Sequence, residues 1–423
     1  MDIRKYFRLE TVQNFLKLFS GTVLAQGLSF VLSPVLSRLY TPEEFGLVAL
    51  YLGILSIVSV LATAKYEQAI MLPQDDEAAF NIFALVAGLC FVFSCLTFFL
   101  VLLFNDFIAV ISGNPEIGPW LWFLPLSILF HGIFQASTFL ANRAKKFGSI
   151  ARTTIIQNLT LNITRVGIGG AGWPLNGLVA GQLAAQFVSA AYLTTRIRSK
   201  ISAGFRLISF RKIKNQATHY SAYPKYNMFQ NFTTNLSGSL PVLMFSWGIS
   251  PEAAGLYGFA YMFVFKPLGL FSLSMQQVFQ QKIIEQHHQG ISIMRDVKQL
   301  VVRFALAGLL PFIILAVWAP SIFTYLFSAG YTETGVYVSI LTPWLFMIFL
   351  TSHLSFLPEL FFRQRKAMTI NVIALFLRFS ALYAGIWYED VILAIALLSA
   401  VSTVQLIYTL FWYLYITRKN DVQ

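Results

Sequence analysis

The sequence predicts an all-α integral membrane protein of twelve transmembrane helices, built as two halves of six. Three observations carry this: a composition as apolar as a bilayer interior, a near-complete sorting of Lys and Arg to one side of the spans, and an internal repeat. Of the 423 residues, 57% are hydrophobic and only 11% are charged. The mean hydropathy is +0.67, outside the range of soluble globular domains.

A hydrocarbon core of about 30 Å takes about 20 helical residues to cross. Apolar runs of that length recur at about 16–37, 45–64, 79–104, 118–140, 153–173, 177–195, 227–247, 253–275, 301–319, 336–358, 368–387 and 391–415, here spans 1 to 12. Spans 5 and 6 meet at Gly172, Trp173 and Pro174, where a tight turn replaces a loop. The first run is long and lacks a small-residue cleavage pattern, so it is expected to remain as span 1 rather than act as a signal peptide.

Positive residues in short loops stay cytoplasmic, so the connections can be sorted by charge. Of 30 Lys and Arg residues, 26 fall on one side: the N-terminal tail, Lys65, Arg143 to Arg152, the Arg196–Lys214 segment, Lys225, Lys282, Arg295 to Arg303, Arg363 to Lys366, and Arg418 and Lys419. The opposite loops carry Glu43, Glu44, Asp106, Glu116, Glu252, Glu333, Glu389 and Asp390 against one cation, Arg38. Both termini are therefore expected on the cytoplasmic side. The net charge of +12 reflects topology, and no nucleic-acid partner is expected.

Pro34 begins PVLSRLYTPEEFGLVALY and Pro241 begins PVLMFSWGISPEAAGLYGFAY, with the Pro-Glu pairs at 42–43 and 251–252. A second echo sets Arg143-Ala-Lys-Lys after span 4 against Arg363-Gln-Arg-Lys after span 10. Six spans return the chain to its starting side, so the halves are parallel repeats, an arrangement found in transporters. The expected division is an N-terminal lobe at 1–195 with spans 1–6, a basic, nonperiodic cytoplasmic linker at 196–220, and a C-terminal lobe at 221–423 with spans 7–12. The linker reads as a strap lying loosely on anionic membrane lipid.

The stretches LKLFSGTVLAQGLSFVLSPVLSRLYTPEEFGLVALYLGI, Lys65-Tyr66-Glu67 with Ala69-Ile70-Met71-Leu72-Pro73, and AYPKYN…NLSGSLPVLMFSWGISPEAAGLYGFAYMF with Gln277-Val278-Phe279 resemble the polysaccharide repeat-unit (O-antigen, Wzx-type) flippases of the MOP exporter superfamily. The resemblance implies a MATE-like fold of two six-helix lobes around a central cavity. It also implies transport of an undecaprenyl-pyrophosphate-linked oligosaccharide, the repeat unit of O-antigen or another surface polysaccharide, between membrane leaflets. A lipid II flippase or a small-molecule exporter of the same superfamily is the alternative.

The residues themselves ask a separate question. A cation at mid-membrane costs about 3 kcal/mol on insertion scales, yet Arg165, Lys266 and Arg378 lie within spans 5, 8 and 11 with no acid at comparable depth. Such cations call for an anion, and a pyrophosphate supplies one. They are the candidate substrate-binding residues, together with Arg38. Thr154, Asn158, Asn162 and Arg165 share one face of span 5; Asn227, Asn231, Thr234, Asn235 and Gly238 share one of span 7; span 1 adds Gln26, Ser29, Ser33 and Ser37. Pro267, directly after Lys266, should weaken the backbone ladder there.

His131 and His353 are candidates for proton coupling, although satisfied core histidines are the commoner case. Cys90 and Cys95 lie on different sides of one span and support neither a disulfide nor a metal site. The sequons at Asn158, Asn162, Asn231 and Asn235 fall within spans and read as interior polar groups. No G-x-x-x-x-G-K-[ST] motif is present, no cofactor is implied, and the short external loops argue against a polymerase or ligase. Polysaccharide assembly proteins are candidate partners, alongside the lipid-linked glycan and membrane lipid.

Overall fold

The computed structural model describes residues 27–173, 176–198, 201, 204 and 206–420. Each predicted span coincides with a helix among them, positions 16–26 of span 1 lying outside the described residues. Span 1 is described as Gly27–Leu39, span 2 as Pro42–Thr63 and span 3 as Asp76–Ile111. Span 4 combines Gly118–Leu121 with Leu124–Arg143, followed by span 5 at Phe147–Gly170 and span 6 at Gly177–Arg196. Span 7 is Met228–Gly248, and span 8 runs from Pro251–Ala260 through a π-helical turn at Tyr261–Phe265 into Lys266–His288. Spans 9 to 12 are Met294–Leu326, Thr332–Thr351, Gln364–Trp387 and Val391–Asn420.

Eight of these helices are long and apolar enough to cross a membrane on length and composition alone. Spans 5, 6 and 7 are more polar, because Asn, Thr, Ser and Gln occupy positions that the other spans fill with aliphatic side chains. Local chemistry sets the helix starts. Asp75 accepts from Ala78 N–H, Asn176 from Leu178 and Val179 N–H, and Ser250 from Ala253 N–H, each satisfying donors that the first turn leaves unpaired. Between spans 5 and 6 the chain turns at Gly172, whose φ of 64° is open to glycine at little cost.

Two compact units emerge. One comprises the chain up to Tyr40 with Leu47–Ser239; the other comprises Thr41–Gly46 with Leu240 onward. In the first, span 3 packs on span 4, span 4 on span 6, and span 5 on span 6. In the second, span 9 packs on span 10, span 10 on span 12, and span 11 on span 12. The second pattern is the first advanced by six spans, the packing counterpart of the sequence repeat.

The repeated Pro-Glu motifs meet inside the second unit. Thr41 and Glu44 form a capping box, Thr41 N–H donating to Glu44 Oε2 at 2.9 Å and Glu44 N–H to Thr41 Oγ1 at 3.4 Å. A Cβ on Gly46 would lie 2.2 Å from the Pro251 carbonyl oxygen, and one on Gly255 would lie 1.7 Å from that of Pro42. Glycine alone permits this reciprocal backbone crossing. Beneath it Phe45, Phe259, Phe327 and Tyr331 pack with ring centroids 4.3 to 5.0 Å apart across Phe259.

Candidate functional site

In the first unit, spans 1 and 5 are joined by a polar seam. Asn162 Nδ2 donates to Ser29 Oγ at 2.9 Å, Ser29 Oγ donates to Asn158 Oδ1 at 3.3 Å, and the two amides also bond carbonyls one turn back. The seam leads to Arg165. Its side chain is 3% exposed, its Nε has no hydrogen-bond partner, and among the described residues no carboxylate pairs with it. Asn162 Oδ1 and Gln186 Oε1 are also buried without partners.

Glycines make room for this group. A Cβ on Gly181 would stand 2.8 Å from Arg165 Cγ, so the arginine stem lies against bare backbone of span 6. Tyr40 donates its hydroxyl to the Arg165 carbonyl at 2.5 Å, and a Cβ on Gly177 would fall 2.0 Å from that hydroxyl.

The span 7 amides are differently employed. Asn227 Nδ2 donates to Gln68 Oε1 at 3.0 Å, Asn235 Nδ2 to the Ser56 carbonyl at 2.9 Å, and Ser56 and Ser239 share a hydroxyl contact at 3.1 Å. Asn231 bonds back to the Asn227 carbonyl at 2.8 Å. These groups tie span 7 to span 2 and the turn after it.

In the second unit, Arg378 is held by neutral acceptors: Nε donates to Ser402 Oγ and Nη2 to Gln405 Oε1, both at 3.0 Å. Its guanidinium also lies 5.0 Å from the Trp344 ring centroid, a cation–π arrangement. Lys266 is exposed, directly after the π-helical turn and before Pro267. The ladder therefore departs from α-helical geometry beside this cation, as the proline predicts. Arg38 is exposed and donates to the Pro34 carbonyl at 2.7 Å. Gln26 lies outside the described residues.

His353 is fully buried, 4.2 Å from Phe304 and 6.3 Å from Phe279 by ring centroids, and neither ring nitrogen has a hydrogen-bond partner. His131 is half-buried in span 4. No cluster of three metal-ligating side chains occurs among the described residues. Spacing did not reveal Glu67. Although it follows span 2, it is 2% exposed, 3.4 Å from Lys65 Nζ, with Oε2 unpartnered. The left-handed conformations of Ala64 and Lys65, at φ 47° and 61°, turn the chain inward there.

Residues 35–336 match the model of a family described as polysaccharide biosynthesis protein. The chain belongs to that family. This polysaccharide biosynthesis protein also shares its fold with solved transporters. It is similar to the lipid II flippase MurJ in an inward closed conformation, with TM-score 0.72 and 17% identity over 95% of this chain and 90% of that one. It is similar to an inward-facing multidrug resistance MATE family transporter of the MOP superfamily, with TM-score 0.67 and 12% identity over 95% and 96%. A MOP superfamily transporter from Pyrococcus furiosus, described as having a binding pocket of reversed polarity, aligns with TM-score 0.54 and 10% identity over 97% and 96%. No curated protein sequence matches the chain. The fold is thus the all-α, twelve-helix, two-lobed architecture of the MOP superfamily, as expected from the sequence, in a multi-pass membrane protein.

Proposed function

We propose that this protein is a flippase for an undecaprenyl-pyrophosphate-linked oligosaccharide, carrying the repeat unit of O-antigen or another surface polysaccharide across the inner membrane by alternating access. Membership of a polysaccharide biosynthesis family supports the glycan. One observation carries the anionic headgroup: Arg165 is buried without a carboxylate and with Nε unpartnered.

A buried charge costs several kcal/mol unless something compensates it. An anion arriving with the substrate provides the compensation. Arg165, Lys266, Arg378 and Arg38 are the proposed pyrophosphate-binding cations, and the amides of Asn158 and Asn162 are proposed to meet glycan hydroxyls. Lys266 is the most accessible of the three interior cations, and the irregular turn before it gives that segment a point at which to bend. In the proposed cycle the polyprenyl tail stays in lipid while one lobe rocks against the other. Both termini and the basic linker are assigned to the cytoplasm.

The test is chemical analysis of lipid-linked glycans in cells depleted of the protein. Accumulation of a polyprenyl-pyrophosphate-linked repeat unit on the cytoplasmic leaflet is expected. Accumulation of lipid II instead would overturn the glycan assignment, and unchanged lipid-linked pools would overturn the flippase reading.

A further inference from the structure

Residues 196–220 read as nonperiodic in sequence, yet within them Phe210–His219 is an α-helix. Ile213, Gln216 and Ala217, followed by Tyr220, are half-buried, whereas Arg211, Lys214, Asn215 and Thr218 are exposed. That 3.6-residue alternation defines an inner and an outer face.

The inner face is clamped to the first unit. Asn81, buried near the start of span 3, accepts Ser209 N–H at 3.0 Å through Oδ1 and donates to the Leu207 carbonyl at 3.1 Å through Nδ2. Tyr66 donates its hydroxyl to the Ala217 carbonyl at 2.8 Å, and Lys212 pairs with Glu77. Anchored at both ends, the helix is a fixed element rather than a trailing strap.

Its outward side sets cations among the uncharged Asn215 and Thr218 and carries no acid. Phe210 is 83% exposed, and Arg206, Arg211 and Lys214 are exposed around it. The chain contains no Asp or Glu between Glu116 and Glu252, so the linker supplies no acid of its own to these cations. Beyond the helix, the exposed Lys225 and Tyr226 extend the basic and aromatic character toward span 7.

We infer that the outer face of Phe210–His219 is a docking surface for anionic phospholipid headgroups, with Phe210 entering the headgroup layer and Arg211 and Lys214 meeting the phosphates. The inference rests on the cytoplasmic assignment of the linker. An aromatic side chain flanked by cations on a short amphipathic helix is the composition that lies in a membrane interface. Its bonds to Asn81 and Glu77 fix it at the first turns of span 3, the end that the cytoplasmic assignment sets at the headgroup level, so charge and position favour lipid over a soluble partner.

The experiment places a nitroxide on Asn215→Cys in the full-length protein, with Cys90 and Cys95 replaced by alanine. The protein is reconstituted in vesicles of phosphatidylcholine alone or with phosphatidylglycerol added. Relative accessibility to oxygen and to a water-soluble nickel chelate reports immersion. The label should move into the interface only with phosphatidylglycerol, and high salt should reverse this. Arg211→Gln and Lys214→Gln should each weaken the partition by about fivefold, while Lys212 stays in place to preserve the clamp. Equal immersion in both lipids would overturn recognition of the anionic headgroup. An aqueous label in both would overturn the docking surface and leave the face to a protein partner. In intact cells, labelling of Asn215→Cys from outside would instead overturn the topology, which separates that failure from the other two.

Discussion

Substituting Gly255 with alanine tests the motif crossing with a displacement that can be worked from the coordinates. The added Cβ would sit 1.7 Å from the Pro42 carbonyl oxygen, 2.7 Å from the Pro42 carbonyl carbon and 2.8 Å from the Gly46 nitrogen. An unstrained carbon–oxygen contact is about 3.3 Å, so the two helix starts must part by about 1.6 Å. Every opposing atom is backbone, and no side-chain rotation relieves the clash. Separation would also disturb Phe45 against Phe259, at 5.0 Å. Overpacking of this sort costs about 1–3 kcal/mol or more, and an aromatic pair adds about 0.5–1.5 kcal/mol. Helix propensity returns only about 1 kcal/mol for Gly→Ala, leaving a net loss of about 2 kcal/mol at the middle of these ranges. Gly238, with nothing within 4 Å of its would-be Cβ, should respond in the opposite sense and be slightly stabilised. The assay is folded yield and thermal midpoint in detergent for Gly255→Ala, Gly46→Ala and Gly238→Ala. A Gly255→Ala protein as stable as Gly238→Ala would refute the crossing.

Arg165→Ala should insert and fold yet flip lipid-linked glycan roughly tenfold to a hundredfold less well, because a charge-assisted phosphate contact contributes about 1.5–3 kcal/mol; Arg165→Lys should restore part of the rate. Arg378→Ala should also lower folded yield, since Ser402 and Gln405 lose their donor, and measuring yield and flipping in the same membranes separates the two effects. His353→Phe should raise the thermal midpoint by removing two unpartnered ring nitrogens from an aromatic pocket, a relief of about 1–3 kcal/mol. Transport driven by a pH gradient should survive His131→Gln and His353→Gln; its loss in either, with substrate binding intact, would make that histidine a coupling group. Single cysteines at Lys366 should react only from the cytoplasm, and those at Asp106 and Glu389 only from outside; the reverse pattern would overturn the topology.

The sequence by itself determined the fold class, because a bilayer imposes a one-dimensional constraint. An apolar run of fixed length must be a helix, and cations in short connections mark one side. The twelve runs therefore fall on helices, and Pro267 marked where the ladder would weaken, although the π-helical form of the turn before Lys266 came only with the structure. The repeated Pro-Glu motifs were equally legible as a pattern, but not as a contact. That Gly46 and Gly255 cross backbone against backbone depends on residues more than 200 positions apart.

Within the site, spacing placed Asn158, Asn162 and Arg165 on one face, yet it could not distinguish Arg165 from Arg378. Arg378 finds Ser402, Gln405 and Trp344 on other helices, whereas Arg165 lies against the bare backbone at Gly181 with Nε unpartnered. Tertiary structure also decided the burial of Glu67 and the clamp on the linker helix. Periodicity records which side of a helix a residue occupies, while satisfaction of a buried charge depends on what another helix brings within about 3 Å, and that is settled only when the helices pack.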